Sequence, residues 1–171
     1  MLKVFPLLTL LFFLGLFSCE SKDSSNSSPS RPVKEKVEKK KIIPKKEYAL
    51  LIVESKSCIY CKQLDKDINT EKSLQEALKD IDLYKILYES YSPVEANFGG
   101  RLIETSENEL AKTLNALSFP NLIFYDKDGN IILQIPGYVY PTQLVCIIDY
   151  VKTGAYKNED VNTYVKRKGC A

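Results

Sequence analysis

The sequence predicts an α/β domain built on a mixed β-sheet with helices on both faces. Three observations predict it. Between residues 47 and 157, short apolar runs alternate with stretches of helical spacing. That order implies parallel strands joined by right-handed crossovers. Near the end of this region Lys127-Asp128-Gly129-Asn130 separates two apolar runs. Asp-Gly at such a place marks a hairpin, because the turn needs positive φ, and so antiparallel pairs join the sheet. Finally, Cys58-Ile59-Tyr60-Cys61 stands between the first apolar run and a segment compatible with a helix.

The elements follow in order. Residues 49–53 are continuously apolar and read as a buried strand. A helix is expected from Cys58 to about Asp67, then a second whose apolar face is Leu74, Ala77, Leu78 and Ile81 behind a Ser73-x-x-Glu76 capping box. Residues 83–88 form the next strand. Residues 90–104, with Pro93 and Gly99-Gly100, are expected as a loop. Ser106-x-x-Glu109 caps a helix that buries Leu110, Ala111, Leu114 and Leu117. Strands at 122–125 and 131–135 flank the Asp-Gly turn. A last helix after Pro141 buries Leu144, Ile147, Ile148 and Val151. There is no internal repeat.

The chain has 171 residues, 44% of them hydrophobic, enough for one domain with tails. Its 24 basic and 22 acidic residues nearly cancel, which argues neither for nor against a nucleic-acid partner; the basic residues are clustered but not interleaved with aromatics, and no nucleic acid is expected. Histidine is absent, which removes Ser-His and Cys-His catalysis and every zinc site that needs imidazole.

Lys3 is followed by an uncharged run over residues 4–17. It is shorter than the roughly 20 residues that span a bilayer and suits a signal-peptide core. It ends in Leu16-Phe17-Ser18-Cys19, which resembles a bacterial lipoprotein signal. The resemblance implies that residues 1–18 are removed and that the Cys19 sulfur carries diacylglycerol. The rest of the chain is then exported and held to a membrane, with its domain in the periplasm; an ordinary secretory signal or a short anchor is the alternative, and it too exports the chain. Residues 19–46 are rich first in Ser, Asn and Pro and then in Lys, without apolar periodicity. They are expected to form a flexible tether. It either holds the domain off the membrane as a solvated spacer or touches anionic headgroups through its lysines.

The chemistry centres on Cys58 and Cys61. Two thiols at this spacing close a small disulfide ring or face one metal ion. A helix that starts just after Cys58 points its free N–H groups at that sulfur and favours the thiolate. Such a thiolate is a good nucleophile.

Cys-x-x-Cys beside a βαβ pattern resembles the thioredoxin-like family, and the resemblance extends over residues 47–157. Phe119-Pro120 precedes the hairpin, where the family has a cis-proline facing the cysteines. Gly137-Tyr138 follows the last strand, where exported members carry Gly with an aromatic. The stretch at 119–129 is similar to exported thioredoxin-related reductases of bacteria. The resemblance implies the thioredoxin-like fold. It assigns Cys58 as the nucleophile, Cys61 as the resolving thiol, and Phe119 and Pro120 as parts of the substrate groove.

The chain also departs from the family. Ile59-Tyr60 stand where thioredoxins have Gly-Pro, Ser57 stands where they have Trp, and Ile52 replaces their buried Asp. Fold and reaction class therefore carry over, and the direction of electron flow does not. Tyr60 is either a substrate contact, a tuner of the thiolate or an exposed first-turn aromatic. Glu54 is either a proton acceptor for Cys61 or a solvated strand-end residue.

Cys146 and Cys170 remain. Cys146 falls off the apolar face of the last helix. Cys170 ends a tail at 158–171 in which Val161, Tyr164 and Val165 suggest one short helix. Two spare thiols in an oxidising compartment are expected to pair.

The expectation is a monomeric, membrane-anchored thiol–disulfide oxidoreductase with no cofactor beyond the Cys58–Cys61 disulfide. It reduces disulfides in other exported proteins and draws electrons from a membrane donor. An oxidase or isomerase of the same fold remains an alternative. So does a lipoprotein that binds copper(I) or zinc through the same two thiolates. Cys19→Ala is expected to leave the protein unprocessed or released from the membrane fraction. Cell fractionation checks this, and wild-type mature protein that washes off membranes overturns it.

Overall fold

The computed structural model describes residues 38–170, so Cys19 and most of the expected tether lie outside the described residues. The elements are β1 (Lys40–Ile42), β2 (Tyr48–Glu54), α1 (Ile59–Thr70), α2 (Lys72–Leu78), β3 (Asp82–Leu87), β4 (Pro93–Phe98), β5 (Arg101–Ser106), α3 (Glu107–Thr113), β6 (Asn121–Asp126), β7 (Ile131–Pro136), α4 (Pro141–Lys152) and α5 (Val161–Arg167). A single 3-10 turn at Ala155–Lys157 links the last two helices.

β2 is the middle of the fold. It pairs parallel with β3 and antiparallel with β6, and β6 pairs antiparallel with β7. The four-stranded sheet therefore has the order β3-β2-β6-β7 and is mixed, as the alternation of elements together with the hairpin requires. All five residues from Ala49 to Val53 are fully buried. Their side chains point alternately to the two faces. Leu50 and Ile52 meet Leu64 of α1, Leu74 of α2 and Leu144 and Ile148 of α4. Ala49, Leu51 and Val53 meet Val94, Ala96 and Phe98 of β4 and Leu110 of α3. Burying such an aliphatic side chain contributes about 1.5–3 kcal/mol. Fixing one residue of backbone costs about 1–2 kcal/mol, so the run stays ordered because both of its faces are covered.

Helices do cover both faces, but on the α3 side they share the work with a second sheet. Residues 90–104, expected as a loop, contain β4 and most of β5, an antiparallel hairpin around Gly99-Gly100. Val94, Ala96 and Phe98 alternate inward, and Pro93 occupies the first strand position, where a missing N–H is tolerated.

Within the described residues, part of the expected tether is a strand. β1 lies within residues 19–46 and pairs parallel with β4, Lys40 opposite Val94 and Ile42 opposite Ala96. Ile42 is fully buried. Lys40 donates to the carboxylate of Glu107 at 2.5 Å and to the carbonyl of Lys85 at 3.1 Å. Glu107 is itself buried and accepts from the Leu87 N–H at 2.7 Å. A buried carboxylate needs such partners, which is why this lysine is not part of a solvated spacer.

At the other end, the tail is continuous with the domain. α5 buries Tyr164 and Val165 in the same core as α4. Asp160 caps it by accepting from the N–H groups of Asn162 and Thr163. Tyr164 donates to Asp149 at 2.5 Å and Lys168 donates to it at 3.1 Å. The Tyr164 hydrogen bond first, with the Lys168 ammonium, holds the Asp149 carboxyl below its usual range.

Two local expectations change for identifiable reasons. α2 starts at Lys72, because Glu71 ends α1 with a hydrogen bond to the Asp67 carbonyl and begins the next helix at once. Ser73 is then inside the helix and caps nothing. Ser106, by contrast, accepts from the Glu109 N–H at 3.3 Å as its motif predicts. α3 ends at Thr113, and Asn115 adopts φ 51°, so Leu117 leaves the helical face and is 59% exposed.

The β6–β7 turn locks the two sheets together. The Gly99 N–H donates to the Gly129 carbonyl at 2.8 Å, and the Gly100 N–H to the Asp128 carbonyl at 3.0 Å. Gly129 has φ +84°, and a Cβ there would lie 2.7 Å from the Asn97 carbonyl oxygen. Gly129→Ala is expected to lose more than about 1 kcal/mol. Gly100→Ala, at positive φ with open space around it, is expected to lose less. Urea denaturation of the two variants checks the order.

Candidate functional site

Cys58 lies just beyond the end of β2 and is the N-cap of α1. Its backbone is extended, and its sulfur accepts the Cys61 N–H at 3.0 Å. The first turn of α1 contains no acidic residue. The sulfur therefore sits where a helix presents unpaired donors and partial positive charge, an arrangement that stabilises a thiolate. Cys58 is half-buried and Cys61 is buried. Their Cα atoms are 5.3 Å apart, and the two are joined as a disulfide. One sulfur can be reached from solvent while the other waits behind it.

The loop that carries Cys58 is held firmly. The Cys58 N–H donates to the Ser55 carbonyl at 3.1 Å, and the Tyr88 N–H to the Glu54 carbonyl at 2.8 Å. The Ser55 hydroxyl donates to Glu89 at 2.6 Å, and the Lys56 N–H does so at 3.2 Å. The Ser55 bond is the main reason that the Glu89 carboxyl is held below its usual range.

β6 brings the second half of the site to this end of the sheet. Asn121 pairs with Val53, near the end of β2. Pro120, just before it, is buried, and the Phe119–Pro120 bond is cis. The carbonyl of Pro120 accepts from the Gly137 N–H at 2.7 Å. The ring of Phe119 packs on Tyr88 with centroids 5.1 Å apart, so its side chain is part of the scaffold. Tyr60 is 63% exposed and stacks on Tyr138, centroids 5.9 Å apart with planes inclined by 27°. Glu54 is not a solvated strand end: its carboxylate lies 3.4 Å from the Lys85 ammonium, which also pairs with Asp65 of α1.

Asp67 and Tyr140 were not anticipated. Asp67 is buried on α1 and accepts from the Tyr138 hydroxyl. Its signal in the sequence is an acid three residues after buried Leu64, on the helix stripe that faces the core. Tyr140 is exposed and meets the Tyr138 ring edge-on at 5.3 Å.

Among the described residues, no group of three or more Cys, Asp and Glu is gathered as a metal-ligand set. Cys146 and Cys170 are joined to one another, with Cα atoms 6.4 Å apart.

A central sheet covered on both faces, with a Cys-x-x-Cys pair at a helix cap beyond one strand and a cis-proline at the start of the neighbouring strand, defines the class of thioredoxin-fold proteins. The thioredoxin-like domain family matches residues 35–152, and the chain belongs to it. A thioredoxin-fold protein from Helicobacter pylori is similar in structure, with a TM-score of 0.68 at 26% identity over 77% of this chain and 90% of that one. Mitochondrial thioredoxin 3 from Saccharomyces cerevisiae, in oxidised form, matches with a TM-score of 0.46 at 18% identity over 65% of this chain and 93% of that one. Fasciola hepatica thioredoxin matches with a TM-score of 0.43 at 16% identity over 60% and 79%. No curated protein matches the chain. Fold and Cys pair together support thiol–disulfide oxidoreductase chemistry in general terms.

The Cys146–Cys170 bond spans a sequence separation of 24. In the chain-entropy model such a loop contributes about 3 kcal/mol. A Cys146→Ala, Cys170→Ala double variant is expected to lose stability on that scale in urea denaturation. Peptide mapping of unreduced wild-type protein should recover the cross-linked pair.

Proposed function

We propose that this protein is an exported, lipid-anchored reductase of disulfides in other exported proteins. The observation that carries the reading is the position of the Cys58 sulfur: half-exposed, at the N-cap of a twelve-residue helix, with buried Cys61 directly behind it. In the reduced protein the Cys58 thiolate attacks one sulfur of a substrate disulfide. A mixed disulfide forms, and the other substrate sulfur leaves as a thiolate that takes up a proton. Cys61, deprotonated, then attacks the Cys58 sulfur. The Cys58–Cys61 disulfide closes and the second substrate thiol departs, so two electrons have passed from the pair to the substrate. A membrane dithiol donor restores the pair. No cofactor beyond the two sulfurs takes part, and the protein acts as a monomer without nucleic acid.

Phe119 and Pro120 precede β6, whose Asn121 pairs with Val53 near the end of β2, and in this reading they form part of the substrate groove. Tyr60, next to both sulfurs and largely exposed, supplies an apolar surface for the polypeptide that flanks the substrate disulfide. Export and lipidation rest on residues 1–19 of the sequence and on the expected Cys19 modification.

Cys58→Ser is expected to abolish insulin reduction. Cys61→Ser is expected to accumulate mixed disulfides, visible as reductant-sensitive adducts on non-reducing gels, because attack survives and resolution is lost. Full turnover by Cys61→Ser without adducts contradicts the assignment. The reduction potential of the pair distinguishes direction: a value near about −270 mV supports a reductase, and one near about −120 mV an oxidant.

A further inference from the structure

Asp67 is only 6% exposed, yet it is a carboxylate on the core-facing side of α1. Both of its oxygens are used. One accepts from the Gln63 side-chain amide at 2.7 Å, and the other from the Tyr138 hydroxyl. Burial, and then the hydrogen bond to Asp67, raises the Tyr138 phenol well above its ordinary range, so the hydroxyl keeps its proton and remains a donor. A buried carboxylate is costly unless it is hydrogen-bonded, and Asp67 is held by these two partners. The second partner is a ring whose face lies on Tyr60 and which meets Tyr140 edge-on.

Tyr60 and Tyr140 are exposed, so this stack is not core packing that happens to reach the surface. It begins inside the Cys-x-x-Cys ring and runs outward. Its middle ring is fixed from two sides. Asp67 holds the hydroxyl, and the Gly137 N–H, bonded to the Pro120 carbonyl at 2.7 Å, fixes the backbone just before it. Gly137 has φ +96°, which makes the tight exit from β7 possible.

We propose that Asp67 and Tyr138 are positioning residues. Asp67 holds Tyr138, and Tyr138 holds the ring of Tyr60, which lies between the two cysteines in sequence, in one orientation before a substrate arrives. A polypeptide then meets a pre-set aromatic contact, and the cost of ordering Tyr60 is not charged to binding. Neither positioning residue touches the reacting sulfurs. The inference rests on the reductase reading, in which Tyr60 contacts the polypeptide substrate.

The test is steady-state reduction of insulin by the full chain with dithiothreitol as electron source. Tyr138→Phe keeps the ring and loses only the hydroxyl. It is expected to raise KM for insulin about three- to tenfold, with kcat changed by less than about twofold. Asp67→Ala should do the same, and Asp67→Asn, whose amide oxygen still accepts from Tyr138, should regain most of the lost affinity. In a Tyr60→Leu background Tyr138→Phe should add nothing, because the ring it orients is gone. An unchanged KM in Tyr138→Phe overturns the proposal. So does an equal rise in both backgrounds, or a parallel fall in kcat. If Asp67→Ala does not fold, the Tyr138→Phe cycle decides alone. Wild-type protein that fails to reduce insulin removes the reductase reading itself. Wild-type activity with an unaffected Tyr138→Phe removes only the positioning role.

Discussion

The double burial of residues 49–53 is the constraint on which the domain depends. A strand covered on one face can slip or stand at an edge. This one is covered on both, by α1, α2 and α4 below and by β4 and α3 above. Its register is therefore fixed by two independent sets of contacts. A shift of one residue would exchange Leu50 and Ile52 for Leu51 and Val53 in each core. Both pairings of the strand inherit this fixity. The parallel partner β3 leads to the loop that holds Ser55 and Lys56 through Glu89, and the antiparallel partner β6 starts at Pro120.

The reactive end follows from that register. Val53 opposite Asn121 places the end of one strand beside the start of the other. The loop after β2 ends in a helix cap, and the residue before β6 is a cis-proline. The capping atom at this helix is a sulfur instead of the usual hydroxyl or carboxylate oxygen. The same geometry that satisfies the Cys61 N–H keeps the sulfur among donors that favour its charged form. Structural and chemical roles coincide in Cys58, whereas Cys61 is buried and reaches reacting partners only through Cys58.

The central sheet and the Cys site were legible because their signals are local. The apolar run, the Asp-Gly turn and the Ser106 cap each act within a few residues. The second sheet is not legible in the sequence, although Gly99-Gly100 after the alternating Val94, Ala96 and Phe98 carries a hairpin signal; Pro93 and the charged β5 obscure it. β1 was hidden for a different reason. Three residues in a lysine-rich stretch become a strand only because β4 offers an edge and Glu107 offers a buried counter-charge. Asp67 was also illegible as a site residue. Its importance depends on Tyr138, 71 positions away in sequence, which no local pattern connects to it.

The placement of β1 also sets how the domain is held by whatever precedes it. Lys40 reaches Glu107 and the Lys85 carbonyl, and Lys85 stands opposite Ile52, close to the end of β2. A chain that began after Lys40 would leave the buried Glu107 carboxylate with the Leu87 N–H but without its counter-charge.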